Sequence, residues 1–134
     1  MTDEDHVLRG RSLFKIANGE DTDRIAFSEF HAAGSRTAFY MVRQGPNKLV
    51  HFVDYPNQLF DLNKDPDEME NLSGNPVFND IETSLSRKLH QLMDPVMTHK
   101  LARKDQLLRI AAAGGREVIL DRGSFGYTPA PGEA

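Results

Sequence analysis

Two rhythms of apolar and polar positions divide the chain: short bursts in the first half, a spacing of three and four in the second. Between 38 and 61, Phe39, Tyr40, Met41 and Val42 form an aromatic and β-branched run, Gln44-Gly45-Pro46-Asn47 is a turn cluster, and 49–53 is a second apolar run. Gln58-Leu59-Phe60-Asp61-Leu62 is too short for a helix and is stopped by the polar Asn63-Lys64-Asp65-Pro66. Upstream, Ile25, Phe27 and Phe30 are spread over both faces of a further extended run that ends at Ala33-Gly34-Ser35-Arg36. Runs of this length bounded by turn residues are strands. The pattern predicts four of them, at 24–32, 37–43, 48–54 and 58–62, joined as an antiparallel meander.

The helical rhythm starts at Asn75-Pro76, an N-cap residue followed by proline at the first helical position. Phe78, Ile81, Leu85, Leu89 and Leu92 then recur at intervals of three or four and make one stripe, suited to cover one face of the sheet. Asp94-Pro95 repeats the start signal, so a break and a second helix at about 95–113 are expected. Its stripe of Met97, Leu101, Leu108 and Ala111 is interrupted by Lys104, and Gly114-Gly115 ends it. A short helix at about 12–18, with Leu13, Phe14, Ile16 and Ala17 on one side and Gly19 as cap, precedes the strands. One more turn is expected at 116–121. Residues 1–5 are a polar leader, and 123–134 is a Gly- and Pro-rich extended tail. The fold class is therefore α+β: one domain over 1–134, with helix and sheet at 10–72, a helical segment at 75–122 and the tail.

In 37–43 and in 48–54 the alternate positions are apolar on both sides. A half-solvated antiparallel sheet alternates apolar with polar, and each such side chain left in water forfeits roughly 1.5–3 kcal/mol. One helical layer covers one face. The other requires the N-terminal helix or a second polypeptide, and the expectation is a dimer or a docking surface for a larger catalytic domain.

Composition narrows the function classes. The chain has 134 residues, 39% apolar and 27% charged, with a formal net charge of −4, ordinary values for a globular domain. Without clustered Lys and Arg, a nucleic-acid binder is not expected. No cysteine is present, which removes disulfides, thiolate metal sites and a cysteine nucleophile. The acidic first residues lack a signal-peptide core and no run approaches the ~20 apolar residues of a membrane span, so a cytoplasmic location without membrane association is expected.

SEFHAAGS at 28–35, MVRQGPNKLVHF at 41–52 and QLFDLNKDPDEMENL at 58–72 together resemble the C-terminal part of the type I sulfatases, and GREVILDRGSFGYTPAPG at 115–132 is similar to the tails of some bacterial members. The most specific piece is the LFDL…DP.E..NL string. The resemblance implies a sulfuric ester hydrolase whose nucleophile is a formylglycine made in a Cys/Ser-x-Pro-x-Arg motif, beside a calcium-type metal held by the large N-terminal domain. No proline in this chain stands two residues after a Cys or Ser. What remains corresponds to the small C-terminal subdomain, a structural or pocket-completing part that is non-catalytic alone. A truncated remnant, a subunit completing a separately encoded catalytic domain, or a fragment of a longer chain fits the same resemblance. Carried over to this sequence, the substrate-pocket candidates are Glu29, His31 and Ser35, which are also ordinary strand-end polar groups.

From the residues themselves, Arg43 and Lys48 flank the hairpin turn and are anion-binding candidates, or edge charges that discourage strand addition. His51 is a cross-strand partner or meets Asp54 at the sheet edge. Asp61-x-Asn63-x-Asp65 imitates a calcium loop, but Pro66 stands where Gly is needed and Leu72 where the bidentate Glu belongs; no metal site is expected in this chain. A small dimeric α+β binding module is the alternative, with two sheets enclosing an apolar cavity lined by Phe39, Met41, Phe52 and Phe60.

Overall fold

The structure, a computed structural model, describes residues 12–20, 23–31 and 35–121. Its elements follow the expected order: α1 (Leu13–Ala17), β1 (Ile25–Phe30), β2 (Phe39–Gln44), β3 (Asn47–Phe52), β4 (Gln58–Asp61), a 3-10 turn at Pro76–Phe78, α2 (Asn79–Leu92), α3 (Pro95–Ala112) and α4 (Arg116–Asp121). The four strands form one antiparallel sheet in sequence order, and the class is α+β. The expected tail at 123–134 lies outside the described residues.

Strand limits shift where turn geometry intervenes. Gln44 pairs with Asn47, so the predicted four-residue turn shrinks to Gly45 and Pro46. Gly45 takes φ 55°, the first position of a tight hairpin that glycine tolerates, and Pro46 fixes the second. That closure pulls Gln44 and Asn47 into the ladder and sets the register of the whole sheet. Among the described residues β1 stops at Phe30, short of the predicted 32, and Ala32 itself is outside the described set.

Paired residues share a face. The inner face carries Tyr40, Val42, Leu49, His51 and Leu59, extended by Ala38 and Val53, and α2 lies on it. Tyr40, Val42, Leu49 and Leu89 are fully buried, with Leu85 beside them. Phe78, Ile81, Leu72 and Met93 pack round this core. The stripe is shorter than its spacing suggested: Leu92 is 48% exposed. α2 ends there, Met93 turns extended at φ −167°, and the Met93 side chain takes the packing position instead. Asn75 caps the start as expected, its Oδ1 accepting from the Val77 N–H at 3.0 Å.

The outer face carries Phe30, Phe39, Met41, Val50, Phe52 and Phe60. Val50 and Phe60, at the β4 side, are buried. Phe30, Phe39 and Phe52 run across three strands as a ladder of rings, with centroids 5.0 Å apart for the first pair and 5.4 Å for the second. Phe30 is 37% exposed, and Phe39, Met41 and Phe52 are half-buried. α1 does not close this face, for its own Leu13 and Phe14 are exposed.

The chain divides into two compact units after Pro95. In the second, Met97, Leu101 and Leu108 of the predicted stripe are all more than half exposed. Among the described residues no helix is long and apolar enough to cross a membrane.

Candidate functional site

The inner face collects polar groups at the margin of the apolar core. Glu29 of β1 lies opposite Tyr40, and Tyr40 lies opposite His51. His31, one residue past β1, places Nε2 3.4 Å from the Glu29 carboxylate and packs edge-on against Tyr40 at 5.4 Å. His51 continues the row at 6.5 Å from Tyr40, and His90 of α2 stands 6.2 Å from His51. Rings from the end of β1, from β2, from β3 and from α2 thus follow one another across this face. Strand register sets Tyr40 beside His51, and the packing of α2 on the sheet adds His90.

At the α2 end of the row a hydrogen-bond network begins. His51 Nδ1 lies 2.9 Å from Asn57 Oδ1, and Asn57 Nδ2 donates to Glu82 Oε1 at 3.1 Å. Since the amide nitrogen is the donor to Glu82, Asn57 Oδ1 must accept, which assigns the proton to His51 Nδ1. Glu82 also receives the Ser73 hydroxyl at 2.8 Å and the Gly74 N–H at 3.1 Å. Burial alone would raise the Glu82 carboxyl, but bonds from Asn57, Gly74 and Ser73 outweigh it and hold the group below its ordinary value. Asn71 ties the next turn, accepting from Leu59 N–H at 2.9 Å and Ser73 N–H at 3.0 Å while donating to the Asn57 carbonyl at 3.2 Å. An open cleft of ≈ 760 Å³ beside this network is lined by Asn57, Asn71, Ser73, Glu82, Arg87 and His90, among others.

Because Glu82 titrates lower in the folded chain than in the unfolded one, its contribution to stability is complete above its ordinary value. It is lost as pH falls through the lowered one. Glu82→Gln is therefore expected to destabilise the domain at neutral pH and to give a shallower loss of stability on acidification than the parent. Urea unfolding at about pH 7 and about pH 3 measures both; identical pH slopes for the two proteins would contradict it.

The structure brings Glu29 and His31 together. It separates Ser35 from them in role, since its hydroxyl donates to the Thr37 carbonyl at 2.6 Å. Arg43 and Lys48 are cross-strand partners on the outer face. Arg43 Nε donates to the Gly45 carbonyl at 3.0 Å. Lys48 Nζ sits 2.7 and 2.6 Å from the two oxygens of Glu68, a residue whose backbone has a left-handed φ of 55°. The polar stretch imitating a calcium loop is a turn: Asp65 accepts from the N–H groups of Met69 and Glu70 at 3.1 and 2.8 Å. His51 meets Asn57 rather than Asp54. Among the described residues no three His, Cys, Asp or Glu side chains are grouped so that they could hold a metal ion.

Sequence reasoning passed over Asn57, Asn71, Ser73 and Glu82. Each reads as a turn or helix-surface residue, and their partners lie up to 25 positions away. The one available signal was the asparagine in the DP.E..NL string, whose side chain closes two turns.

Residues 2–95 match the family described as N-sulphoglucosamine sulphohydrolase, C-terminal. Arylsulfatase K of Mus musculus is 32% identical over 99 residues, an alignment covering 65% of this chain and 18% of that protein. The choline-sulfatase of Rhizobium meliloti (strain 1021) is 37% identical over 67 residues, covering 50% of this chain and 13% of its own. Among solved structures, the phosphonate monoester hydrolase of Agrobacterium radiobacter superposes with a TM-score of 0.49 at 25% identity, over 62% of this chain and 20% of that one. The chain thus spans 18% or less of the length of these curated relatives.

Proposed function

The chain belongs to the N-sulphoglucosamine sulphohydrolase C-terminal family, and on that premise we propose that it serves as the C-terminal domain of a sulfuric ester hydrolase, without catalytic power of its own. The observation that carries this reading is the outer sheet face. Phe30, Phe39, Met41 and Phe52 form a continuous apolar surface that the described residues leave partly open. Full burial of such a side chain is worth roughly 1.5–3 kcal/mol, and the part of it still outstanding for these partly buried residues is gained only when a partner covers the face. A catalytic domain of the same class is the partner this reading assigns to it.

On this reading the bond-breaking groups, with the calcium-type metal, reside in the catalytic domain. Glu29 and His31, at the end of β1, contribute to the rim of its substrate pocket, while the Ser35 hydroxyl is engaged by the Thr37 carbonyl. Arg43 offers a positive charge on the outer face. Lys48 reaches an anion only by releasing Glu68, which makes it the weaker of the two candidates.

The purified chain is expected to leave a chromogenic aryl sulfate uncleaved, at a rate indistinguishable from that of its His31→Ala variant. Turnover by the parent that disappears on replacing His31 would overturn the reading, because it would place the chemistry in these strands.

A further inference from the structure

The two edges of the sheet are finished differently. The Gly45-Pro46 hairpin makes Gln44 and Asn47 a hydrogen-bonded pair. Every second pair is then bonded as well, consistent with the Val53 N–H reaching the Ala38 carbonyl at 3.1 Å. Carried to β4, this parity turns the backbone groups of Leu59 and Asp61 outward. The chain meets them there: Leu59 N–H with Asn71 Oδ1, Leu59 carbonyl with Leu72 N–H, and Asp61 carbonyl with the N–H groups of Lys64 and Asp65.

Carried to β1, the same parity turns Ala26, Ser28 and Phe30 toward β2 and leaves the N–H and carbonyl of Ile25, Phe27 and Glu29 pointing outward. Among the described residues no backbone or side-chain group pairs with them. β1 also lacks the usual guards of an open edge, having no lysine, proline or bulge within Ile25–Phe30. Ile25 and Phe27 are 38% and 39% exposed. β4 is closed by its own chain, while β1 keeps a row of donors and acceptors between apolar side chains.

We infer that β1 pairs antiparallel with β1 of a second copy of this chain, across a two-fold axis at Phe27, to make one continuous eight-stranded sheet. That register sets Phe27 opposite Phe27 and Ile25 opposite Glu29, so all the outward groups of both strands are used at once. Its charges are compatible too: Glu29, the single charged residue of β1, faces isoleucine and never its own copy. Ala26 falls opposite Ser28, small residues that let the two backbones approach. A slip of the register by one residue would face the outward groups of one strand against the inward-bonded residues of the other, and moving the axis to Ala26 or Ser28 keeps the parity but pairs fewer of the outward residues of Ile25–Phe30. The pairing uses the sheet edge and leaves the outer face free, so it stands whether or not a catalytic domain docks there.

Sedimentation equilibrium of the 134-residue chain at about 100 μM, within the range of affinities small interfaces reach, is expected to show a dimer. Phe27→Pro removes an outward N–H and no bond to β2, so it should weaken the dimer by about 100-fold and leave a cooperatively folded monomer. Phe27→Lys, which opposes two like charges on the axis, should do the same if the proline variant fails to fold. Since the chain has no cysteine, a single Phe27→Cys reports the register directly. Its twin would lie at a Cα separation of ~5.5 Å, within disulfide range, and oxidation should give a covalent dimer. Ala26→Cys, whose twin lies a diagonal step away, should cross-link far less. A monomeric parent, a dimer that survives Phe27→Lys, or equal cross-linking at both positions would overturn the proposal.

Discussion

Leu89→Ala is expected to lower the unfolding free energy by about 2–5 kcal/mol, the loss found when a fully buried leucine is cut back and its surroundings collapse only in part. Leu89 has no exposed surface and sits where α2 meets the strands carrying Tyr40, Val42 and Leu49. Domains of this size have ~5–15 kcal/mol in all, so the variant should approach the limit of folding. Leu92→Ala is the matched control, three residues on in the same helix but half exposed, and should cost less than about 1 kcal/mol. Urea unfolding should show the midpoint falling sharply for the first and barely for the second, with unchanged slopes. Equal losses would mean that α2 does not pack by the face assigned to it.

Tyr40 yields the second large effect. It is fully buried, and its hydroxyl donates to the Pro95 carbonyl at 3.0 Å, joining the centre of the sheet to the residue where α3 begins. Tyr40→Phe leaves that carbonyl without its partner, at a cost of about 1–3 kcal/mol. Burial first, then the charges of Glu29 and Asp94, push the hydroxyl up to about 12 from its ordinary 10.0. A raised value means the fold favours the protonated form. Its contribution is therefore complete below pH 10 and is lost as pH climbs to about 12. At about 1.4 kcal/mol per unit, the loss is about 2–3 kcal/mol. The stability gap between parent and Tyr40→Phe should accordingly be widest below pH 10 and shrink through the alkaline limb. A gap that stays constant to about pH 12 would show that the hydroxyl titrates like a solvated phenol.

Much of the sheet was legible because strand signals are local. The run at Phe39 to Val42, the Gly45-Pro46 turn and the short burst at Leu59 and Phe60 each specify their own conformation, and the hairpin then fixes the register of its neighbours. Asn75-Pro76 and Asp94-Pro95 likewise announced two helix starts, since capping and a fixed proline φ act within a single turn. The apolar outer face was legible as well, but not its extent. Val50 and Phe60 carry the same alternation as Phe52, and nothing in their spacing says that the first two are buried while Phe52 stays half-open.

The candidate site was legible only in part, because its members are placed by tertiary register. Glu29 and His31 sit close in sequence and close in space. The Asn57, Ser73 and Glu82 network draws on a loop, a turn and a helix, and no period of 2 or 3.6 links them. Lys48 was visible as a charge beside a turn, yet its engagement by Glu68 follows from a fold-back of the intervening loop.

By itself the sequence determined which segments are strands, where the two long helices begin and that the sheet has two apolar sides, since each follows from interactions spanning a few residues. Only the tertiary structure decided which side α2 covers, which edge the chain closes and which edge the described residues leave open. Those outcomes depend on the parity of hydrogen bonding across four strands and on contacts between residues far apart in the chain.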